Sequence, residues 1–398
     1  MDYKELFSTA EQDKIAIVVV GYNRLESIKR VLASLTEAHY PSEDIPLVLS
    51  IDCSGDEKLY QYVRDFNWQH GRKFVNIQQE RLGLKKHIFQ CCGLSKYFRG
   101  VIILEDDSYV APFFYFFASD AVDKYGDDEL ICGISLYFSQ NNEYVNIPFL
   151  PYNNGSDVFL LQDVQTRGEC FTYSQWRKFE EWLPKNENRD YSDVYMPESI
   201  KGWSRAWSKY FYAYMVESGT YFVYPYVSFV TNMGAVGEHS NSVLNIVQVP
   251  LEWGLKKYVM PDRGKLSRYD AFYCNEVLYE KLQLSPKDLC IDYYGFNPNI
   301  QHRRFVLSYK LLPYETVRSF GLHVYPLELN VLMDIQGEGL YLYDTAKQCK
   351  KKGRINYVYA AYIYCKYNTK LMKPYLWQCK KNLFRHRINK LIKIVFKR

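Results

Sequence analysis

Residues 15–35 read IAIVVVGYNRLESIKRVLASL. The run from Ile15 to Val20 is apolar throughout and mostly β-branched. A strand with no polar residue on either face is buried on both sides, as in a parallel sheet. The period then changes. Leu25, Ile28, Val31, Leu32 and Leu35 recur at helical spacing, so the strand leads through a tight turn into an amphipathic helix. The same alternation continues outward. Strands are expected at 46–52 (PLVLSID), 73–78 (KFVNIQ), 100–107 (GVIILEDD) and 130–136 (LICGISL), with helices at 56–66, 83–98 and 112–125. Strand alternating with helix predicts an α/β fold with a mostly parallel, Rossmann-like sheet. Ligands of such sheets sit at the carboxyl ends of the strands. Asn23, Asp52 and the triplet Glu105, Asp106 and Asp107 all fall there.

The triplet raises an electrostatic question. Adjacent negative charges repel each other, and charge near a core is costly unless a cation or a set of donors meets it. One answer is a solvated loop that caps the next helix. Another is a divalent cation held by one carboxylate, with diphosphate oxygens completing its shell.

The bulk numbers narrow the partners. The chain has 398 residues, room for one large domain or two. It carries 38 Tyr, more hydroxyls than a core absorbs, so many rings are expected on surfaces or in clefts. Ten Cys are scattered with no CxxC pair, which suits a reducing compartment rather than a disulfide or zinc framework. The N-terminal stretch has no long apolar run, so neither a secretory signal nor a membrane span is expected and the location reads as cytoplasmic. Neither GxGxxG nor GxxxxGK[ST] occurs, which counts against dinucleotide and P-loop sites.

The net charge of +5 hides an asymmetry. From Thr345 to Arg398 there are sixteen Lys or Arg and no Asp or Glu, leaving 34 bases and 45 acids elsewhere, a net of −11. Within 371–398, Leu376, Leu383, Ile388, Leu391, Ile392, Val395 and Phe396 recur at helical spacing among the bases, with Trp377 and Phe384. Such a basic amphipathic helix suits an anionic membrane surface. No nucleic-acid-binding motif accompanies the charge, so nucleic acid is not an expected partner.

Four stretches, AIVVVGYNRLESIKRVLASL, PLVLSIDCSGDEK, GLKKHIFQCCGLSKYF and VIILEDDSYVAPFFYFF, together resemble the donor-binding half of a GT-A fold glycosyltransferase. The resemblance is to bacterial family-2-like enzymes and to the related N-acetylglucosaminyltransferase I group, and it covers roughly residues 14–240. It implies a metal-dependent, inverting transfer from a nucleotide sugar, a UDP-sugar above others. The acceptor would be a glycan or a lipid-linked saccharide of surface polysaccharide synthesis, such as capsule, at the inner face of the cell membrane.

The resemblance also implies roles. Gly21, Asn23 and Arg24 form the donor turn, with Arg24 on the nucleotide. Asp52 takes the uracil or ribose side, and His87 contacts the base, although by spacing alone His87 is a helix-face residue. Glu105 and Asp106 hold ribose, sugar or metal-bound water, and Asp107 ligates Mn2+ or Mg2+. The stretch GAVGEHS resembles a loop that closes over the donor, with His239 in the matching place. For the catalytic base the candidates are Asp190, then Asp193, then Glu169, because Ser204 stands where several relatives have Asp. Trp203 and Trp207 are candidates to stack on acceptor sugars.

The expected domains are a GT-A unit over 1–254 (donor half 14–136, acceptor half 137–254), a C-terminal accessory region over 255–370, mixed or helical, and the tail helix over 371–398. Two other functions fit the same α/β site: nucleotidyl transfer, and a catalytically silent nucleotide-sugar-binding or scaffold protein.

Overall fold

The computed structural model describes residues 11–204, 206–234, 247–350, 353 and 355–364, with positions 377, 380, 381, 384 and 388. At its centre is a nine-stranded sheet. The expected alternation supplies one half: β1 (Ile15–Gly21), α1 (Leu25–Glu37), β2 (Leu47–Ile51), α2 (Glu57–Asp65), β3 (Lys73–Ile77), α3 (Leu84–Cys92) and β4 (Gly100–Glu105). β1 lies between β2 and β4, β3 flanks β2, and all of these pairs are parallel. Every residue of β1 and β2 is buried. Ala16, Val18 and Val20 pack on one face with Ile88, Cys91 and Cys92 of α3. Ile17 and Val19 pack on the other with Ile28, Val31, Leu32 and Leu35 of α1. Two covered faces require the unbroken apolar run seen in the sequence.

The second half is less regular. It contains β5 (Ser108–Val110), α4 (Phe114–Tyr125), β6 (Ile131–Ser135), the small pair β7 (Asn141–Asn142) and β8 (Ile147–Pro148), β9 (Val158–Leu161) and β10 (Glu169–Phe171). Then follow α5 (Tyr173–Asn186), α6 (Glu198–Lys201), α7 (Ser208–Ser218), β11 (Tyr221–Pro225), β12 (Val230–Asn232) and β13 (Arg268–Tyr269). β10 inserts antiparallel between β4 and β6. Beyond β6 come β11 (parallel), β9 (antiparallel to β11) and β13 (parallel to β9). The sheet therefore extends past residue 254, the expected boundary, because β13 closes its edge.

The C-terminal region adds α8 (Val277–Leu282), β14 (Leu289–Asp292), β15 (Phe305–Ser308), β16 (Tyr314–Phe320), α9 (Leu327–Leu332), β17 (Leu340–Gln348) and α10 (Tyr357–Tyr364). Its four strands form a second sheet in the order β14-β15-β17-β16. The stretch from Pro326 is the helix α9 followed by β17. One hydrophobic cluster runs through both sheets, joining Phe149, Phe159 and Phe222 to Tyr273, Tyr294, Leu307 and Leu342. No helix among the described residues is long and apolar enough to cross a membrane. The described positions of the tail are helical, with Trp377 and Phe384 exposed. The rest of 371–398 lies outside the described residues.

Candidate functional site

Three strand ends meet at one edge of the main sheet. β1 ends at Gly21, where a Cβ would lie 2.7 Å from Cδ1 of Ile28. Glycine there lets α1 fold back closely over the strand. The backbone N–H of Asp52 donates to the Gly21 carbonyl at 2.8 Å, tying the ends of β1 and β2 together. Arg24 stands at the start of α1, its carbonyl accepting from the Ile28 N–H at 3.0 Å.

The Arg24 side chain reaches across the end of β4. Nε donates to Asp106 Oδ2 at 3.1 Å, Nη1 donates to Asp107 Oδ2 at 3.1 Å, and Nη2 donates to Asp106 Oδ1. The acidic triplet thus meets a cation from far along the chain, brought near because β1 and β4 are neighbours in the sheet. Asp107 Oδ1 accepts from Asn232 Nδ2 at 2.8 Å, and the Asp107 carbonyl accepts from the Met233 N–H at 2.8 Å. These contacts arise because β12 pairs antiparallel with β5, setting Asn232 opposite Ser108.

Burial dominates the electrostatics. It pushes Asp106 up to about 6 even though Arg24 pulls the other way. It pushes Glu105 up to about 8, helped by the charges of Asp107 and Asp106 and opposed by Arg167 and Arg24. Burial would lower Arg24, but the two aspartates outweigh it and the guanidinium ends above its ordinary value.

Glu169 adds a further carboxyl group to this neighbourhood. On β10 it pairs with Ile103 of β4. It therefore faces the side of the sheet that Glu105 shares, by strand alternation. It is buried, and among the described residues its Oε1 has no hydrogen-bond partner. Burial and then the charge of Glu105 hold it well above the ordinary carboxyl range. Both carboxyl groups are thus held toward their neutral form.

The other expected site residues are distributed as follows. Asp52 is buried and satisfied: Oδ1 accepts from the N–H groups of Cys53 (2.9 Å) and Leu82 (2.8 Å), and Oδ2 from that of Gly83 (2.9 Å). It clasps the end of β2 to the loop that enters α3. His87 is buried behind that loop, its Nε2 2.7 Å from Ser50 Oγ. Burial lowers it to about 4, against the pull of Asp52, so the ring is neutral near pH 7.

Asp190 is exposed and turned back on Ser192, accepting from its N–H at 3.0 Å and its Oγ at 2.9 Å, and those bonds lower its pKa. Asp193 is paired with Arg189 at 3.2 Å, and Arg189 also holds Glu217. Trp207 is buried in the core against Phe89 and Phe211, whereas Trp203 is exposed. Asn23 lies in the turn after β1. His239 lies outside the described residues.

The structure thus brings together Arg24, Glu105, Asp106, Asp107 and Glu169, with Asp52 along the same edge. Asp190 and Asp193 make their contacts elsewhere, on the loop after α5. Sequence reasoning missed Asn232 and Arg167. Arg167 carried a weak signal, standing two positions before Glu169 in the bend that leads into β10. Asn232 carried none, since only the β5–β12 pairing brings it to Asp107.

A divalent cation can be tested against the donor set. Asp107 is a hard oxygen ligand at the rim of the sheet, suited to Mg2+ or Mn2+. Among the described residues no three His, Cys, Asp or Glu side chains gather as metal ligands. An ion here would be held through one carboxylate and would take the rest of its shell from phosphate and water.

No family model matches the chain, and no curated protein matches it. Several solved structures are similar to it at low identity. One is GalNAc-T7 with UDP, GalNAc and Mn2+, at 14% identity and a TM-score of 0.40, over 56% of this chain and 44% of that one. Another is S. aureus TarS 1-349 in complex with UDP-GlcNAc, at 17% and 0.33, over 57% and 60%. A third is the mannosyltransferase PcManGT from Pyrobaculum calidifontis with GDP-Man and Mn2+, at 13% and 0.35, over 55% and 56%. The chain spans less than two thirds of the length of each.

Proposed function

We propose that this chain is a metal-dependent, inverting glycosyltransferase. It moves a hexosyl or N-acetylhexosaminyl group from a nucleotide sugar, most readily a UDP-sugar, to a glycan or lipid-linked acceptor of surface polysaccharide synthesis. One observation carries the reading: Arg24 bridges Asp106 and Asp107 where β1 and β4 end side by side. A fixed cation among carboxylates at that edge suits a ligand that brings both phosphate and hydroxyl groups.

The roles follow from chemistry. Gly21 and Asn23 shape the turn that admits the nucleotide, and Arg24 orients its phosphates. Asp52 holds the loop at Leu82 and Gly83 that walls the base and ribose, with neutral His87 behind it. Asp106 and Glu105 accept hydrogen bonds from donor hydroxyls. A Mn2+ or Mg2+ ion on Asp107 would supply the charge that stabilises a departing diphosphate. An acceptor hydroxyl oxygen attacks the anomeric carbon, the bond to the diphosphate oxygen breaks, and the hydroxyl proton passes to a carboxylate. Of the three candidates Glu169 adjoins the triplet, but it must lose its own proton before it can act as base; Asp190 and Asp193 are exposed and already bonded. Trp203 is the open ring for an acceptor sugar, and His239 belongs to the loop over the donor. The basic tail, with Trp377 and Phe384 exposed and Lys381 5.0 Å over the Trp377 ring, attaches the enzyme to the anionic inner face of the membrane.

The test is UDP release from a panel of UDP-sugars, with and without Mn2+ and acceptor. Asp107→Ala should lower metal-dependent turnover at least about 100-fold; because it also takes an acceptor from Arg24 and Asn232, turnover is compared at a temperature where the variant is still folded. Undiminished metal-dependent release from that variant would remove Asp107 from the metal site. One observation favours a second reading, a nucleotide-sugar-binding protein without turnover: Glu169, the candidate base that adjoins the triplet, is sealed in the sheet. That protein would bind UDP and Mn2+ and release nothing.

A further inference from the structure

Away from the acidic edge, a cavity of about 950 Å³ opens where the loop before α6 meets the C-terminal region. Ser192, Asp193 and Tyr195 line one side, and Asp270, Tyr279 and Asn297 line the other. Its size is at the upper end of the roughly 300–1,000 Å³ typical of ligand pockets.

The charges on its walls are mostly spent. Glu198 pairs with Lys201 at 2.8 Å, Glu276 with Arg268 at 3.2 Å, and Asp193 with Arg189 at 3.2 Å. Arg303 is turned to backbone, its Nε donating to the Pro286 carbonyl at 3.1 Å and its Nη1 to that of His302 at 3.4 Å. Among the described lining residues Arg303 keeps its charge, but no second Lys or Arg stands unpaired beside it to make a phosphate or nucleotide site.

What stays open is neutral or accepting. Asp270 Oδ1 takes the N–H groups of Phe272 (2.8 Å) and Cys274 (3.0 Å), which leaves Oδ2 without an N–H donor among the described residues. The Tyr279 hydroxyl and the Asn299 side chain have no partner there. The Tyr195 ring is held in place: its hydroxyl donates to Asn297 Oδ1 at 3.0 Å, and its centroid lies 4.4 Å from that of the Phe272 ring, tilted by 45°. Such a wall offers fixed rings, an open carboxylate oxygen, a hydroxyl and an amide in near charge balance. Sugar hydroxyls donate to the carboxylate and accept from amide and phenol, while apolar sugar faces lie on the rings.

From this combination we infer that the cleft binds a neutral oligosaccharide, the part of the acceptor glycan remote from the transferred sugar. The second half of that statement rests on the glycosyltransferase reading; the binding itself does not. A cleft that grips the acceptor at a distance would raise the acceptor's local concentration at the donor edge.

The experiment uses the full chain on an array of neutral, anionic and cationic oligosaccharides, followed by calorimetry with the best neutral ligand. Binding of a neutral oligosaccharide is expected, weakened at least tenfold by Tyr279→Ala and by Asp270→Asn, with UDP affinity unchanged in both. Asp270→Asn keeps a carbonyl oxygen for the Phe272 and Cys274 N–H groups, so it preserves the fold. Exclusive binding of charged ligands, no neutral glycan bound, or binding indifferent to both substitutions would overturn the inference. If neutral glycan binds through Tyr279 but no UDP-sugar is turned over, the cleft stands and the transfer reading fails. If donor turnover is intact and no neutral glycan binds, the cleft alone fails.

Discussion

Asp163 and Glu169 are near neighbours in sequence and almost equally buried, at 2% exposure each. Their surroundings are opposite. Asp163 Oδ1 accepts from the Tyr144 hydroxyl at 2.5 Å and the Val164 N–H at 2.9 Å, and Oδ2 from the Tyr273 hydroxyl at 2.6 Å and Gln165 Nε2 at 3.1 Å. Glu169 keeps an oxygen with no partner among the described residues. A carboxylate that serves the fold is surrounded by donors, because an unpaired buried charge is costly. A carboxyl left short of donors beside other acids is kept for another reason, and such groups concentrate at functional sites. The same contrast separates the two halves of the chain. Asp163 ties the main sheet to the C-terminal region through Tyr273, while Asp106 and Asp107 at the other edge are bridged by the Arg24 guanidinium.

Asp163→Ala should show the largest effect. It strips the acceptor from two phenols, an amide and a backbone N–H at once, and should destabilise the protein by at least about 4 kcal/mol in urea unfolding. Glu169→Gln is its counterpart: the side chain is already neutral, so stability should change by less than about 1 kcal/mol while UDP release falls. Equal losses of stability from the two substitutions would break the comparison.

Arg24→Ala should come next. It leaves Asp106 and Asp107 without their cation, but Arg24 is 23% exposed, so water replaces part of what is lost. A loss of about 2–3 kcal/mol is expected, below the value for a fully buried pair. Arg24→Lys should recover less than half of it, because a point charge cannot span two carboxylates as the planar fork does. Full rescue by lysine would mean that charge alone, without geometry, holds the edge.

The legible parts of the sequence were those where one physical demand controls consecutive residues. Ile15–Val20 had to be apolar on both faces, and Leu25–Leu35 had to keep one face of α1 apolar, so β1, α1 and their successors could be read directly. The triplet was readable as a charge problem for the same reason: its cost is local. Its solution was not, because Arg24 reaches Asp106 only through the β1–β4 pairing. Glu169 meets Glu105 only because the three-residue strand β10 slips antiparallel between β4 and β6, and a strand of that length carries no period. The C-terminal sheet was opaque for a related reason. β15 pairs with both β14 and β17, so its neighbours are distant in sequence, and α9 at Leu327–Leu332 is too short for a helical repeat to separate it from a strand.

Glu328 lies between the two extremes, and its substitution should shift stability less than Asp163→Ala or Arg24→Ala does. It sits in the first turn of α9, where the helix N-terminus favours a negative charge. Even so it is buried, and its Oε2 has no partner among the described residues. Burial raises it from 4.5 to about 7, against a hydrogen bond from Tyr269 that pulls it down. Below pH 4.5 the group is protonated in the folded and the unfolded chain alike and favours neither. Between 4.5 and about 7 the folded chain binds more protons than the unfolded one, so stability falls as pH rises through that window, and above it the cost is fully present. Glu328→Gln removes this contribution. It should stabilise the protein by about 1–2 kcal/mol at pH 7.5 and change little at pH 4.5, which urea unfolding at the two values would measure. If instead Glu328→Gln destabilises the protein at pH 7.5, the ionised carboxylate has donors after all, and Glu328 belongs with Asp163 rather than with Glu169.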